Sequence, residues 1–204
     1  MRELLPGIWH WTAFYDAIGM DVHSYWIEPA GIVLDPMVPD DVGLDWWEER
    51  EIQPQQVVLT IGLHWRHSDQ FASRWGIPIV VPRPALHRYE GTDRDPETFE
   101  WGDEVAPGVT AVEIDAIAPD ECALHIDQGD GVVAIADGLI RASAGGPLTF
   151  VPDGLIGDNP ETVKAGLRDA FRGLLERDWD TMLMAHGEPI VGGAQQALKD
   201  FLRD

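Results

Sequence analysis

Lysine is almost missing from this 204-residue chain, where only Lys164 and Lys199 occur; 14 Lys and Arg face 36 Asp and Glu, for a formal charge of −22. A chain so poor in cations cannot neutralise a row of phosphates, which argues against nucleic acid as a partner. The same excess of carboxylates keeps the protein in solution and repels anionic ligands at long range, although a bound metal reverses the sign locally. Cysteine is equally scarce: Cys122 stands alone, so no internal disulfide can form, in agreement with a reducing compartment. No apolar run approaches the roughly 18 residues that span a bilayer, so no membrane association is expected. Residues Met1 to Trp11 have neither a basic start nor an apolar core, so no secretory leader is expected and a cytoplasmic location follows. Internal repeats, low-complexity segments and long linkers are also lacking, which makes residues 1–204 one domain.

What is present is a series of short apolar runs between Gly, Pro and Asp. Val22 to Ile27 and Gly31 to Leu34, joined by "EPAG", read as a β-hairpin. Further strands are expected at Val57 to Thr60, Ile77 to Val81, Val109 to Ile114, Cys122 to Ile126, Val132 to Ala136 and Thr181 to Ala185. A helix is expected after Asp158 or Asn159, with Pro160 in its first turn and Val163, Leu167, Ala170, Phe171, Leu174 and Leu175 on one face. Another is expected from Gly193 to Leu202, and shorter ones at "DVGLDWWEER" and at "SDQFASRWG", with Ser68 as N-cap and Gly76 as stop. Residues 88–104 are charged and aperiodic and read as a surface excursion. Many short strands with unevenly placed helices predict two packed sheets flanked by helices.

The chemistry-bearing candidates sit at strand ends. His64 and His67 share a face only if the loop after Thr60 is already coiling; on a strand they would point to opposite sides, and an isolated pair of this spacing is more often a polar turn than a ligand pair. Asp137 closes "VVAIA" ahead of Gly138, a hairpin-turn signature as much as a ligand. His186 closes "TMLMA" ahead of Gly187. Histidines and an aspartate at the ends of three separate strands are how a metal site is assembled on a sheet scaffold. His23 and His125 alternate within strands and read as sheet-face residues, while His10 and His87 have no partner nearby in sequence.

The succession "PGIWHW", "VHSYWIEPAGIVLDP", "VVLTIGLHWRHSDQF", "GIPIVVP", "APDECALHI", "VVAIADGLI" and "MLMAHGEPIVGGAQQALKDFL" resembles the metallo-β-lactamase fold superfamily over nearly the whole chain. The close is similar to that family's GHGxPI ending and "ADGLI" to its GDxLF segment. The resemblance implies an α/β (α+β) fold, a four-layer αββα sandwich with a metal site at the edge of the two sheets. Asp137 then matches the bridging aspartate and His186 the last histidine. The THxHxDH motif departs: read without a gap from Thr60 its positions fall on Ile61, Leu63, Trp65 and Arg66, and with one inserted residue His64 and His67 take two ligand places with Arg66 where the aspartate belongs. The later histidine falls on Ile117.

Ile61, Leu63 and Ile117 offer no lone pairs, so two metals cannot be held and the expectation is at most one divalent ion, zinc, iron or manganese, ligated by Asp137, His186 and some of His64 and His67. A guanidinium about 5 Å from such an ion repels it by roughly 7 kcal/mol at an effective dielectric near 20, so Arg66 must point away or the ion is absent. Two readings follow. One is a hydrolase of a small ester or thioester using one metal, with Asp137 and His186 at the catalytic centre and Arg66 and Trp65 lining the substrate pocket. The other is a metal-free, non-catalytic member that binds a small molecule or a partner chain, with Arg66 paired to Asp137. An exposed subset of the nine tryptophans would favour self-association as a homo-oligomer or a stacking wall.

Overall fold

Apolar side chains along the strands alternate between two different cores, and that alternation builds the layers. In the computed structural model, which describes residues 1–143 and 145–203, a seven-stranded sheet runs in sequence order: β1 (Arg2–Leu5), β2 (Ile8–Tyr15), β3 (Met20–Ile27), β4 (Ile32–Leu34), β5 (Gln56–Val58), β6 (Ile79–Pro82) and β7 (Glu97–Phe99). The second sheet has six strands. It comprises β8 (Glu104–Ala106), β9 (Val109–Glu113), β10 (Cys122–Ile126), β11 (Val132–Ile135), β14 (Thr181–Met184) and β15 (Ile190–Val191), in the order β15-β14-β11-β10-β9-β8. β12 (Leu139–Arg141) and β13 (Leu148–Phe150) form a separate hairpin.

Ile32, Leu34, Val58 and Val80 of the first sheet meet Cys122, Leu124, Ile126, Val132 and Ala134 of the second in the central core. Their neighbours one residue along, Val33, Val57, Leu59 and Val81, point the other way, under Trp47 of α1 (Asp45–Glu48) and Phe71 of α2 (Ser68–Trp75). On the opposite outer face Ala123, Val133, Ile135, Met182 and Met184 pack against Leu167, Phe171 and Leu174 of α3 (Pro160–Leu174) and Leu198 of α4 (Ala194–Phe201). Period-two strands that are apolar on both faces therefore produce four layers, helix, sheet, sheet, helix.

Several local expectations change. Residues 88–104, expected to be an excursion, contribute β7 to the sheet edge. The "DVGLDWWEER" helix is a single turn, and His67 rather than Ser68 occupies the N-cap of α2. Trp11, Trp26, Trp47, Trp65 and Trp179 are buried and the remaining tryptophans are half-buried, so none forms an exposed stacking wall. Among the described residues no helix is long and apolar enough to cross a membrane.

Candidate metal centre

Both sheets contain parallel pairs, β4 with β5 and β11 with β14, and the carboxyl ends of these four strands converge on one edge. Asp35 follows β4, His64 lies in a short 3₁₀ turn (Gly62–Trp65) beyond β5, Asp137 follows β11 and His186 follows β14. The carboxyl edge of parallel strands is where α/β scaffolds place their ligand sites. Here two backbone contacts lock the sheets across that edge: Cys122 N–H donates to Thr60 O at 2.9 Å and His23 N–H to Ala185 O at 3.1 Å. The His186 turn depends on glycine. Gly187 has φ +100°, and a Cβ there would stand 2.3 Å from Arg141 O, which no other residue tolerates.

His64 Nε2 is 3.0 Å from Asp137 Oδ1, and His186 Nε2 is 3.1 Å from the same oxygen. The three ligand atoms lie within 4.8 Å of one another. Behind them, His64 Nδ1 is 3.1 Å from Asp35 Oδ2. Asp35 is itself fixed by Thr60, whose N–H donates to Oδ1 at 2.9 Å and whose hydroxyl donates to Oδ2 at 2.5 Å. Burial and the Arg66 charge push the His64 pKa down, but Asp137 and Asp35 outweigh them and hold it at about 8. Burial raises the carboxyl pKa of Asp35 and Asp137; the facing histidines more than reverse this, leaving both below the usual range and Asp137 well below it.

Arg66 takes a different course from the one the sequence suggested. Its backbone adopts φ 42°, a strained conformation for a side chain of this size. Its Nη1 donates to the backbone carbonyls of Asp35 at 2.7 Å and His23 at 2.9 Å. It therefore does not replace a metal by pairing with Asp137. The residue is only 9% exposed, and its Nε and Nη2 are buried without a partner. Trp65, the other residue expected at the substrate pocket, is 4% exposed and donates its Nε1–H to Asp69 at 2.7 Å. His67 is also drawn elsewhere: its Nδ1 accepts the Val38 N–H at 3.0 Å, which keeps it out of the cluster. Since the turn kinks at Arg66, the HxxH pair does not share a face. Asp35 escaped the sequence reading, although "IVLD" ends a buried strand just as "VAIAD" does. His10 and His23 also escaped it: they form a buried pair, Nε2 to Nδ1 2.8 Å, and burial above all lowers the His23 pKa to about 4.

The donor set fits one ion. A tetrahedral ion with bonds of about 2.0–2.1 Å needs ligand atoms roughly 3.3 Å apart, close to the 3.0 and 3.1 Å here. Asp137 Oδ1, although that near to two imidazoles, receives no well-directed hydrogen bond, and two nitrogens with one carboxylate are a common zinc set. The carboxylate on Nδ1 of a ligating histidine is the usual orienting partner. Three positions where the family motif would place further donors carry side chains without lone pairs: Ile61 is in the core, Leu63 is 55% exposed and Ile117 packs on the outer core of the second sheet.

No curated protein sequence matches the chain. Solved structures do: a metallo-beta-lactamase from Pontibacter korlensis is 14% identical over 100% of this chain and 98% of its own, with a TM-score of 0.70. A metallo-beta-lactamase family protein from Thermus thermophilus is 15% identical over 98% of this chain and 80% of its own, TM-score 0.68. A protein solved in a di-iron-bound form is 17% identical over 92% and 96%, TM-score 0.68. These likenesses carry the fold. The family model described as the metallo-beta-lactamase superfamily matches residues 1–203, and with two sheets, flanking helices and the ligand cluster at their shared edge, the chain belongs to that superfamily.

Proposed function

We propose that this chain is a hydrolase of a small neutral ester or thioester that works with one divalent ion held by His64, Asp137 and His186. The observation that carries the reading is the convergence of two imidazole nitrogens on one carboxylate oxygen while the Arg66 guanidinium is tied to backbone carbonyls instead. When bound, such an ion acts as a Lewis acid that polarises a carbonyl and acidifies water. The chain's own groups supply the rest. Asp35 stands 3.1 Å from His64 Nδ1, on the side away from the centre, and its charge stabilises the ring there. Asp137 and His186 retain 21% and 16% side-chain exposure against 7% for His64, so the reacting carbonyl approaches from their side. The formal charge of −22 disfavours polyanionic substrates, nucleic acid among them.

One observation favours a metal-free binding module instead. With the His64 pKa at about 8, an imidazolium between Asp35 and Asp137 balances the cluster at neutral pH without an ion. Metal analysis separates the two readings. Protein purified without chelator is expected to carry close to one zinc, iron or manganese per chain, lost in His186→Ala together with hydrolysis of chromogenic esters and thioesters. Metal content near zero, unchanged on adding zinc, would overturn the hydrolase reading.

A further inference from the structure

The segment between β9 and β10 occupies the place of the missing ligand loop yet reaches the site by another route. Asp120 and Glu121 are consecutive, carboxylic and buried, at 0% and 1% exposure, a costly arrangement that persists only if both carboxyls are used. Asp120 Oδ2 accepts the Gly62 N–H at 2.8 Å, and Arg88 holds the same carboxylate through Nε and Nη2, both at 2.6 Å. Gly62 opens the 3₁₀ turn that carries His64, and a Cβ on it would come within 2.8 Å of Ala85 and 2.9 Å of Asp120. Glu121 Oε1 accepts the N–H of Gly138, the residue after Asp137, at 2.6 Å. Gly138 has no room for a side chain, since its Cβ would meet Leu167 at 2.5 Å and Glu121 Oε1 at 3.0 Å. The two carboxyls thus hold two different donor turns, one from each sheet.

We propose that Asp120 and Glu121 are positioning residues for the ligand cluster, Glu121 setting the Asp137 turn and Asp120 the His64 turn, so that buried carboxyls do for the backbone what additional metal bonds cannot do here. Glu121 is the sharper half, because among the described residues it has no cation of its own and its Oε2 has no partner. Its hydrogen bond is to the backbone N–H of Gly138, which directly follows Asp137. The zinc part of the test rests on the single-ion reading; the histidine spectra and amide behaviour do not.

In metal-free protein, side-chain nitrogen–proton NMR spectra are expected to show shifted His64 and His186 resonances in Glu121→Ala and Glu121→Asp, while those of His87 and His125 stay in place. Glu121→Gln, which keeps an acceptor oxygen on Gly138, is expected to restore the wild-type pattern. Zinc affinity is expected to fall about 10- to 100-fold in the Ala and Asp variants, the range for lost orienting partners, and by less than about threefold in Gln. Folded Ala and Asp variants with wild-type histidine spectra would overturn the proposal, as would Gln behaving like Ala. If the Ala and Asp variants do not fold, wild-type amides decide. Those of Gly138 and Gly62 are expected far downfield and slow to exchange, as short buried bonds to a carboxyl oxygen require; ordinary shifts and fast exchange would overturn it. If wild-type protein binds no zinc, the hydrolase reading fails and the spectra alone judge the clasp.

Discussion

The two sheets bring unequal material to the same edge. The second sheet ends in two short turns, Ala136–Gly138 and Ala185–Gly187, that bring Asp137 and His186 within 3.1 Å of each other. The first sheet ends in the Thr60–His67 stretch, a longer path that delivers a single donor. Ile61 goes into the core, Leu63 to solvent, Arg66 to backbone carbonyls and His67 to Val38. Scaffold and donors are therefore separable: the strand ends can stay in register while the side chains on one of them are reassigned to structural bonds. Where donors are lost, the first sheet is anchored by buried carboxyls, Asp35 on Thr60 and Asp120 on Gly62.

The strongest way to break the comparison is to remove donors from the two sides in turn. Asp137→Ala is expected to weaken zinc binding about a thousandfold, since roughly 10–16 kcal/mol of binding is shared by three or four ligands. His67→Ala is expected to change it less than about threefold. Competition with a chromophoric chelator checks both, and comparable losses would erase the asymmetry. A smaller effect concerns stability. Burial raises the Glu121 pKa from 4.5 to about 7, so the contribution of this group is present below pH 4.5 and is lost as pH rises through about 7. Glu121→Gln is therefore expected to match wild type in urea denaturation at pH 4 and to be more stable at pH 8, by about 3 kcal/mol at most. The smallest effect sharpens the role of the first sheet's single donor. With the His64 pKa at about 8, zinc must displace a proton below that value. Affinity is expected to rise about tenfold per pH unit between 6 and 8 and to level off above; a flat profile would mean that His64 is not a ligand.

Much of the architecture was legible because both faces of the central strands are apolar and the strands stop at Gly, Pro and Asp. "VVAIADG" and "MLMAHG" give their strands and their terminal donors in one glance, since a residue just past a buried strand has few places to go. The "TIGLHWRHS" stretch was not legible in this way. Its geometry turns on Arg66 at φ 42°, a conformation that spacing rules do not foresee, and with it the two histidines part company. His10 and His23 lie thirteen residues apart in sequence but on adjacent strands, where the β2–β3 register brings them together; neither carries a local signal. Glu121 was hidden for a related reason, as a glutamate entering a strand reads as a polar edge rather than a buried acceptor. β7 was lost in the charged stretch because an edge strand of three residues is decided by its neighbour β6 and not by its own pattern.

One further contact governs how this site can move. The Tyr25 hydroxyl, fully inside the sandwich, both donates to Met184 O at 2.8 Å and accepts Met184 N–H at 2.9 Å, so a single phenol completes the backbone of β14 from the opposite sheet. The sheets are in effect riveted two residues before His186, from inside the sandwich. The floor of the site is thereby pinned from within, whereas at the β2–β3 hairpin tip Phe14, Ile18 and Met20 stand about half out in solvent.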